Sequence, residues 1–191
     1  SLQSAYQLGV KQQHIYSYVF FQVPPRRRRE MMDRLQELPE LVEASVVYAD
    51  NVDFIVKAST PQEADVYHAI VPLFAETGVT GLPKLMQVQN RFVRTKQRTR
   101  KRSKPKMMAY VMLKVPGRNI DDFMATLRSW EEVVEACTVY GESDVIVRVL
   151  VPSQEALDDL VMRRMHSIEQ VESTRTYLVI SNMYWTRDDA G

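Results

Sequence analysis

The chain has 191 residues, 45% of them hydrophobic, and a formal net charge of +1. That is enough apolar material for one large or two small packed domains and too much for a disordered chain. No run of about 18 or more apolar residues is present, which excludes a transmembrane helix, and the lone cysteine, Cys137, excludes an intramolecular disulfide or a cysteine metal site and fits a reducing, cytoplasmic setting.

Residues 1–15 show no clear period and no secretory core, and the chain opens on Ser1 rather than Met, so an upstream segment is expected. Tyr16 to Val23, β-branched and aromatic, predicts a strand stopped by Pro24 and Pro25. Arg26 to Leu38 follows as a helix with Met31, Met32, Leu35 and Leu38 on one face. Arg26 to Arg29 crowd its first turn against the helix dipole, which calls for an anion or for plain solvation. Val42 to Lys57 reads as two strands around a turn. Thr60-Pro61-Gln62-Glu63 has the form of a capping box with Pro at the first helical position. The helix after it carries Tyr67, Ile70, Val71 and Phe74 at helical spacing, and Pro72 within it predicts a kink or an early end. Leu85 to Val93 predicts a closing strand.

Arg94 to Lys106 contains eight basic residues and no acid; taking those from a net +1 leaves about −7 on the remainder. With no apolar face, the segment reads as an exposed linker or an extended strand end. Arg98, Arg100, Lys101 and Arg102 within it are candidates for salt-dependent phosphate contacts, although no aromatic residue is interleaved for stacking on bases.

The pattern then restarts. Tyr110 to Pro116 matches Tyr18 to Pro24 at an offset of 92, and Val134, Glu135, Ala136, Val139 and Tyr140 match Val42, Glu43, Ala44, Val47 and Tyr48 at the same offset. Gln154-Glu155-Ala156 and Asn182 repeat Gln62-Glu63-Ala64 and Asn90. In the second copy Asn119 is placed to cap a helix with Asp121 and Asp122 in its first turn. The chain therefore divides into an N-terminal segment (1–15), a first domain (16–94), a basic linker (95–107) and a second domain (108–187). Each domain reads strand, helix, strand, strand, helix, strand. That order predicts an α+β chain of two tandem ferredoxin-like βαββαβ domains, each a four-stranded antiparallel sheet with two helices on one face. Tyr110 to Leu113 and Val145 to Val147 are apolar without alternation, so both sheet faces should be buried, the second against the sister sheet as a pseudo-dimer or against another chain.

The second unit resembles the effector-binding domain of the Lrp/AsnC regulators across Tyr110 to Tyr184, in the segment VVEACTVYGESDVIVRV and the later VESTRTYLVI. The first unit resembles it more weakly: Ala49 stands in place of the turn glycine, and Leu82 and Lys84 in place of Thr174 and Thr176. The resemblance implies domains that pair and often assemble further, a small effector (typically an amino acid) bound between subunits near the turn joining the second and third strands, and DNA contact through a helix-turn-helix that is not readable in this chain.

In the second unit's turn, Gly141 is expected at positive φ, a need of the hairpin itself; in the first, Asn51 can take that conformation. Tyr140, Glu142 and Asp144 gather around the second turn, with Tyr48, Asp50 and Asp53 in the corresponding places. Carboxylates there can hold an ammonium group and backbone N–H groups a carboxylate, with hydroxyls added by Thr174 and Thr176 from one strand face. Cys137 reads as a small buried strand residue, with a reactive thiol as the alternative.

The expected function is an effector-sensing and oligomerisation module of an Lrp/AsnC-like regulator, with a purely structural assembly module or nucleic-acid binding by the basic linker as alternatives. No cofactor, metal or membrane is expected. With no ligand-spaced histidines, no phosphate loop and no nucleophile elbow, the chain is expected not to be an enzyme, although ferredoxin-like dimers can house oxidative or decarboxylating sites without a sharp motif.

Overall fold

The structure is a computed structural model and describes residues 13–95 and 106–187. The first unit comprises β1 (Ile15–Phe21), α1 (Arg28–Gln36), β2 (Leu41–Tyr48), β3 (Phe54–Thr60), α2 (Ala64–Thr77) and β4 (Lys84–Val93). The second comprises β5 (Met107–Lys114), α3 (Ile120–Ser129), β6 (Val133–Tyr140), β7 (Val145–Val151), α4 (Gln154–Asp158, continued by a π-helical turn Asp159–Met165) and β8 (Ser173–Thr186).

Within each unit the strands run antiparallel in the order β4-β1-β3-β2 and β8-β5-β7-β6. These are the two tandem ferredoxin-like sheets expected, and they are joined by their edges as well as facing each other. The last strand of each unit runs on past its own sheet: β4 pairs with β6, and β8 with β2, closing one eight-stranded barrel. Closure leaves none of the eight described strands with a free edge for pairing with another chain.

The two-sided burial follows directly. Successive residues on a strand point to opposite faces. On β1, Val19 and Phe21 pack outward with Met31, Leu35 and Phe74 beneath the first unit's helices. On β5, Val111 and Leu113 do so with Phe123 and Leu127. The alternate residues Tyr18, Phe20, Tyr110 and Met112 point into the barrel and meet Cys137 and Ile146 from the other strands. Each such burial contributes roughly 1.5–3 kcal/mol.

Several local expectations are corrected. The capping box does not form: Thr60 ends β3 and bonds the Gln62 carbonyl at 2.7 Å, and α2 begins at Ala64 without a side-chain cap. Pro72 does not end α2, which runs to Thr77; it lies on the exposed face, where water can serve the carbonyl it leaves unpaired. Asn119 holds the N-cap position of α3 but makes no side-chain cap bond; the bonded cap is Ser153, which accepts from Ala156 N. Of the arginines Arg26 to Arg29, Arg28 pairs with Asp53 at 2.9 Å and Arg27 with Glu30 at 3.3 Å, so two of the four have acids of the chain itself beside them.

Arg94, the first residue of the basic run, belongs to the fold: its guanidinium bonds the carbonyls of Val133, Arg128 and Trp130 at 2.6–3.0 Å, tying β4 to the end of α3. Arg187 does the same for Leu41, Gln36 and Leu38 in the first unit. Arg98, Arg100, Lys101 and Arg102 fall outside the described residues. No helix among the described residues is long and apolar enough to cross a membrane.

Candidate functional site

The barrel has two different ends. One is filled by charge. Lys57 Nζ lies 2.7 Å from both oxygens of Glu135, and Arg91 Nε donates to Glu135 Oε2 at 2.6 Å. Across the pseudo-dyad, Tyr110 and Tyr184 donate their hydroxyls to Glu43 at 2.7 and 2.8 Å, and Arg148 Nε sits 3.5 Å from the same carboxylate. Each carboxylate is thus held mainly by the opposite unit.

The electrostatics follow from that packing. Burial alone would raise the Glu135 carboxyl, but Lys57, Arg148 and Arg91 outweigh it and hold it at about 2. Burial, reinforced by nearby Cys137 and Glu135, pushes Tyr18 well above its ordinary value; burial and Glu43 do the same to Tyr110. Both therefore stay protonated donors. Cys137, fully buried 3.8 Å from the Tyr18 hydroxyl, is pushed up to about 12 by burial and by Glu135, so it is a thiol with no nucleophilic fraction near neutral pH. The buried-strand reading of Cys137 is the one the geometry supports.

The other end is open. A cavity of about 950 Å³ lies at this mouth, with Phe20, Met86, Met112 and Tyr177 as its floor. Its rim is made from corresponding pieces of both units: Asp50, Asn51 and Val52 on one side, Glu142 and Ser143 on the other, with the 79–82 loop facing Ser173, Arg175 and Thr176. The two candidate turns, one per unit, converge on one shared cavity. Of the sequence-derived candidates, Asp50, Glu142 and Thr176 line it.

The others stand aside. Tyr48 and Tyr140 are 62% and 58% exposed on the barrel's outer surface. Asp53 accepts from Val23 N and Asp144 from Val115 N, both at 2.8 Å, so each carboxylate braces the chain where β1 or β5 ends. Thr174 pairs with His166 at 2.8 Å on the helix side of β8. Gly141 has φ +152°, and a Cβ there would come within 2.6 Å of Met86 Cγ, so the glycine makes room for part of the cavity floor. Asn51 does not take a positive φ; among the described non-glycine residues only Asn182 does, at 66°, in the irregular stretch of β8.

Sequence reasoning missed the cations. Lys114 and Arg175 both line the cavity. Arg175 pairs with Met112 in the ladder and Lys114 with Ser173, making the two cations diagonal neighbours on the inward face. The signal was strand parity: Lys114 is in phase with Tyr110 and Met112, and Arg175 with Tyr177. The ladder also corrects the alignment of the two copies. Lys84 pairs with Phe20 and Arg175 with Met112, so Lys84 corresponds to Arg175 rather than to Thr176. The irregular stretch later in β8 absorbs the difference.

That correspondence exposes an asymmetry. Lys84 is paired with Glu142 of the other unit at 3.2 Å. The pseudo-symmetric pair, Arg175 with Asp50, is not formed, and Lys114 likewise has no ion-pair partner among the described residues.

The family model of the Lrp/AsnC ligand binding domain matches residues 108–188. That span is the second unit, which is therefore similar to an Lrp/AsnC ligand binding domain. The regulatory protein AsnC of Escherichia coli (strain K12) is 27% identical over 85 residues, 41% of this chain and 55% of that protein, so the chain spans about half the length of the curated relatives it matches. The match lies with the better-preserved repeat, and the first unit shares its topology.

Solved structures that cover nearly the whole chain show the same fold at low identity. The siroheme decarboxylase NirDL covers 97% of this chain and 80% of its own, with 10% identity and a TM-score of 0.67. A protein named as a monooxygenase from Lactobacillus acidophilus NCFM covers 91% and 96%, with 12% identity and a TM-score of 0.58. These neighbours correct the expectation that the chain is not an enzyme. Its barrel is an architecture on which enzymes are built, and the missing nucleophile, phosphate-loop and metal motifs do not rule out catalysis in such a cavity.

Proposed function

We propose that this chain is an effector-binding module of an Lrp/AsnC-type transcription regulator, with its tandem domains, 16–94 and 108–187, forming one small-molecule site at the shared barrel mouth. The observation that carries this reading is the cavity itself: about 950 Å³, on the pseudo-dyad, with an apolar floor and two cations, Lys114 and Arg175, that no described acid neutralises. A free amino acid meets the minimum chemistry, with its carboxylate on Lys114 and Arg175 and its ammonium on Asp50, which has no ion-pair partner among the described residues.

Lys114 and Arg175 are strand-borne, and Asp53 and Asp144 brace the chain where β1 and β5 end, so binding reads out as a change in the relation of the two units. DNA contact in this scheme comes from a helix-turn-helix outside the chain. Assembly with further copies uses the outer surface, since the strand edges are consumed, and the setting is cytoplasmic. A thermal-shift screen of the common amino acids tests the amino-acid form: a ligand-dependent rise in Tm that is lost in Arg175→Gln supports it, and no rise with any amino acid sinks it.

A further inference from the structure

We infer that the ligand of the barrel mouth is an organic acid with an extended apolar body, larger than a free amino acid, bound with its acid group on the second unit's rim and its apolar body across the first unit's wall. This deepens the reading above and rests on it.

Three observations set the ligand's polarity. The first is the one-sided charge. Lys114 and Arg175 both come from the second unit; the residue corresponding to Lys114 is Gln22, and the cation corresponding to Arg175 is Lys84, already neutralised by Glu142. The free positive charge of the mouth therefore sits on one side.

The second is the opposite wall. It is the 79–82 loop, where Gly78 (φ +69°) and Gly81 (φ +107°) turn the chain so that Leu82 is held 95% exposed beside the cavity, next to Val79 and near Val52. An isolated exposed leucine is ordinary. One at the lip of a cavity floored by Phe20, Met86, Met112 and Tyr177 adds an apolar side chain to the rim, free to close on a ligand's apolar body.

The third is size. The cavity lies near the upper end of the roughly 300–1,000 Å³ range of sites that enclose drug-sized ligands. A free amino acid reaching Lys114 and Arg175 leaves the far wall wet, whereas an acid with a long acyl or fused aryl body spans it.

The test is a fluorescence titration of the full chain with 8-anilino-1-naphthalenesulfonate, an anionic probe with a fused apolar body, alongside its uncharged relative N-phenyl-1-naphthylamine. The expected result is saturable binding of the anionic probe that weakens by about tenfold or more in Lys114→Gln/Arg175→Gln and falls with added salt. The neutral probe should bind the wild type and the variant alike. Dodecanoate should displace the anionic probe, while dodecanol, L-leucine and L-phenylalanine at equal concentration should not. Unchanged binding in the variant, or equal displacement by dodecanol and dodecanoate, overturns the inference.

Both cations are exposed, so the variant is expected to fold. Leu82→Ser supplies an independent variant that should weaken dodecanoate and leave inorganic salt effects unchanged; no weakening counts against the inference. If amino acids raise Tm while the anionic probe fails to bind, this inference falls and the amino-acid reading stands. If the probe binds in the charge-dependent way and no amino acid has an effect, the inference stands and the amino-acid form falls.

Discussion

The two ends of the barrel are built from the same strands and differ in how their charges are satisfied. At the closed end Glu43 and Glu135 are 2% and 0% exposed, and each is gripped by groups from the opposite unit. At the open end one cross-unit pair, Lys84 with Glu142, is formed and its pseudo-symmetric twin is not. Burying a charge is costly unless it is paired and hydrogen-bonded, so a charge network in a closed barrel specifies which units pair. Leaving cations unpaired at an open mouth is cheap, because water solvates them until a ligand arrives. The difference gives fold specificity to one end and, on the proposed reading, recognition to the other, and it can be broken experimentally from either side.

The largest effect is expected at the closed end. Glu135→Ala strands Arg91 and leaves Lys57 only its longer 3.5 Å contact to Glu43, and denaturant unfolding should show a loss of about 3–5 kcal/mol. The pH dependence has a definite sign. Glu135 is lowered from near 4.5 to about 2, so its contribution is fully present above the unfolded value and is lost as pH falls through the window from about 4.5 to 2. That amounts to about 3 kcal/mol, and acid titration of the unfolding free energy should show Glu135→Gln with a flatter profile over that window than wild type. Tyr110→Phe removes one donor from a buried carboxylate that keeps Tyr184 and Arg148. The expected cost is about 1.5–3 kcal/mol by the same measurement.

Effects shrink toward the mouth. Gly141→Ala pushes a methyl into Met86, and about 1–3 kcal/mol of overpacking should appear as a lowered Tm together with altered ligand binding. Lys114→Gln/Arg175→Gln should change stability by no more than about 0.5 kcal/mol while removing the charge-dependent part of binding.

The fold was legible because the repeat is written twice: a 92-residue offset held from Tyr18 to Tyr48 against Tyr110 to Tyr140, and unalternating apolar strands announced two buried faces. Barrel closure was not legible. It depends on β4 and β8 running past their own sheets, and their pairing with β6 and β2 carries register shifts that no local pattern marks. Those shifts also misaligned Lys84 with Thr176 and hid its correspondence to Arg175.

At the site, the turn was the right neighbourhood for the wrong half of its residues. Asp50 and Glu142 reach the cavity, whereas Asp53 and Asp144 are consumed by backbone N–H groups, a partnership that requires the end of another strand to be in place. Glu43 and Glu135 served only as markers of the repeat. Their phase with apolar neighbours in both copies was a sign of burial, but the partners that make such burial tolerable lie on the opposite unit.

The most direct test is the stoichiometry and charge dependence of anionic-probe binding, measured with the unfolding free energy of the same variants. One site per chain, lost in Lys114→Gln/Arg175→Gln at essentially unchanged stability, is the predicted result. Two sites per chain, one at each turn, or binding that survives neutralisation of both cations would contradict it.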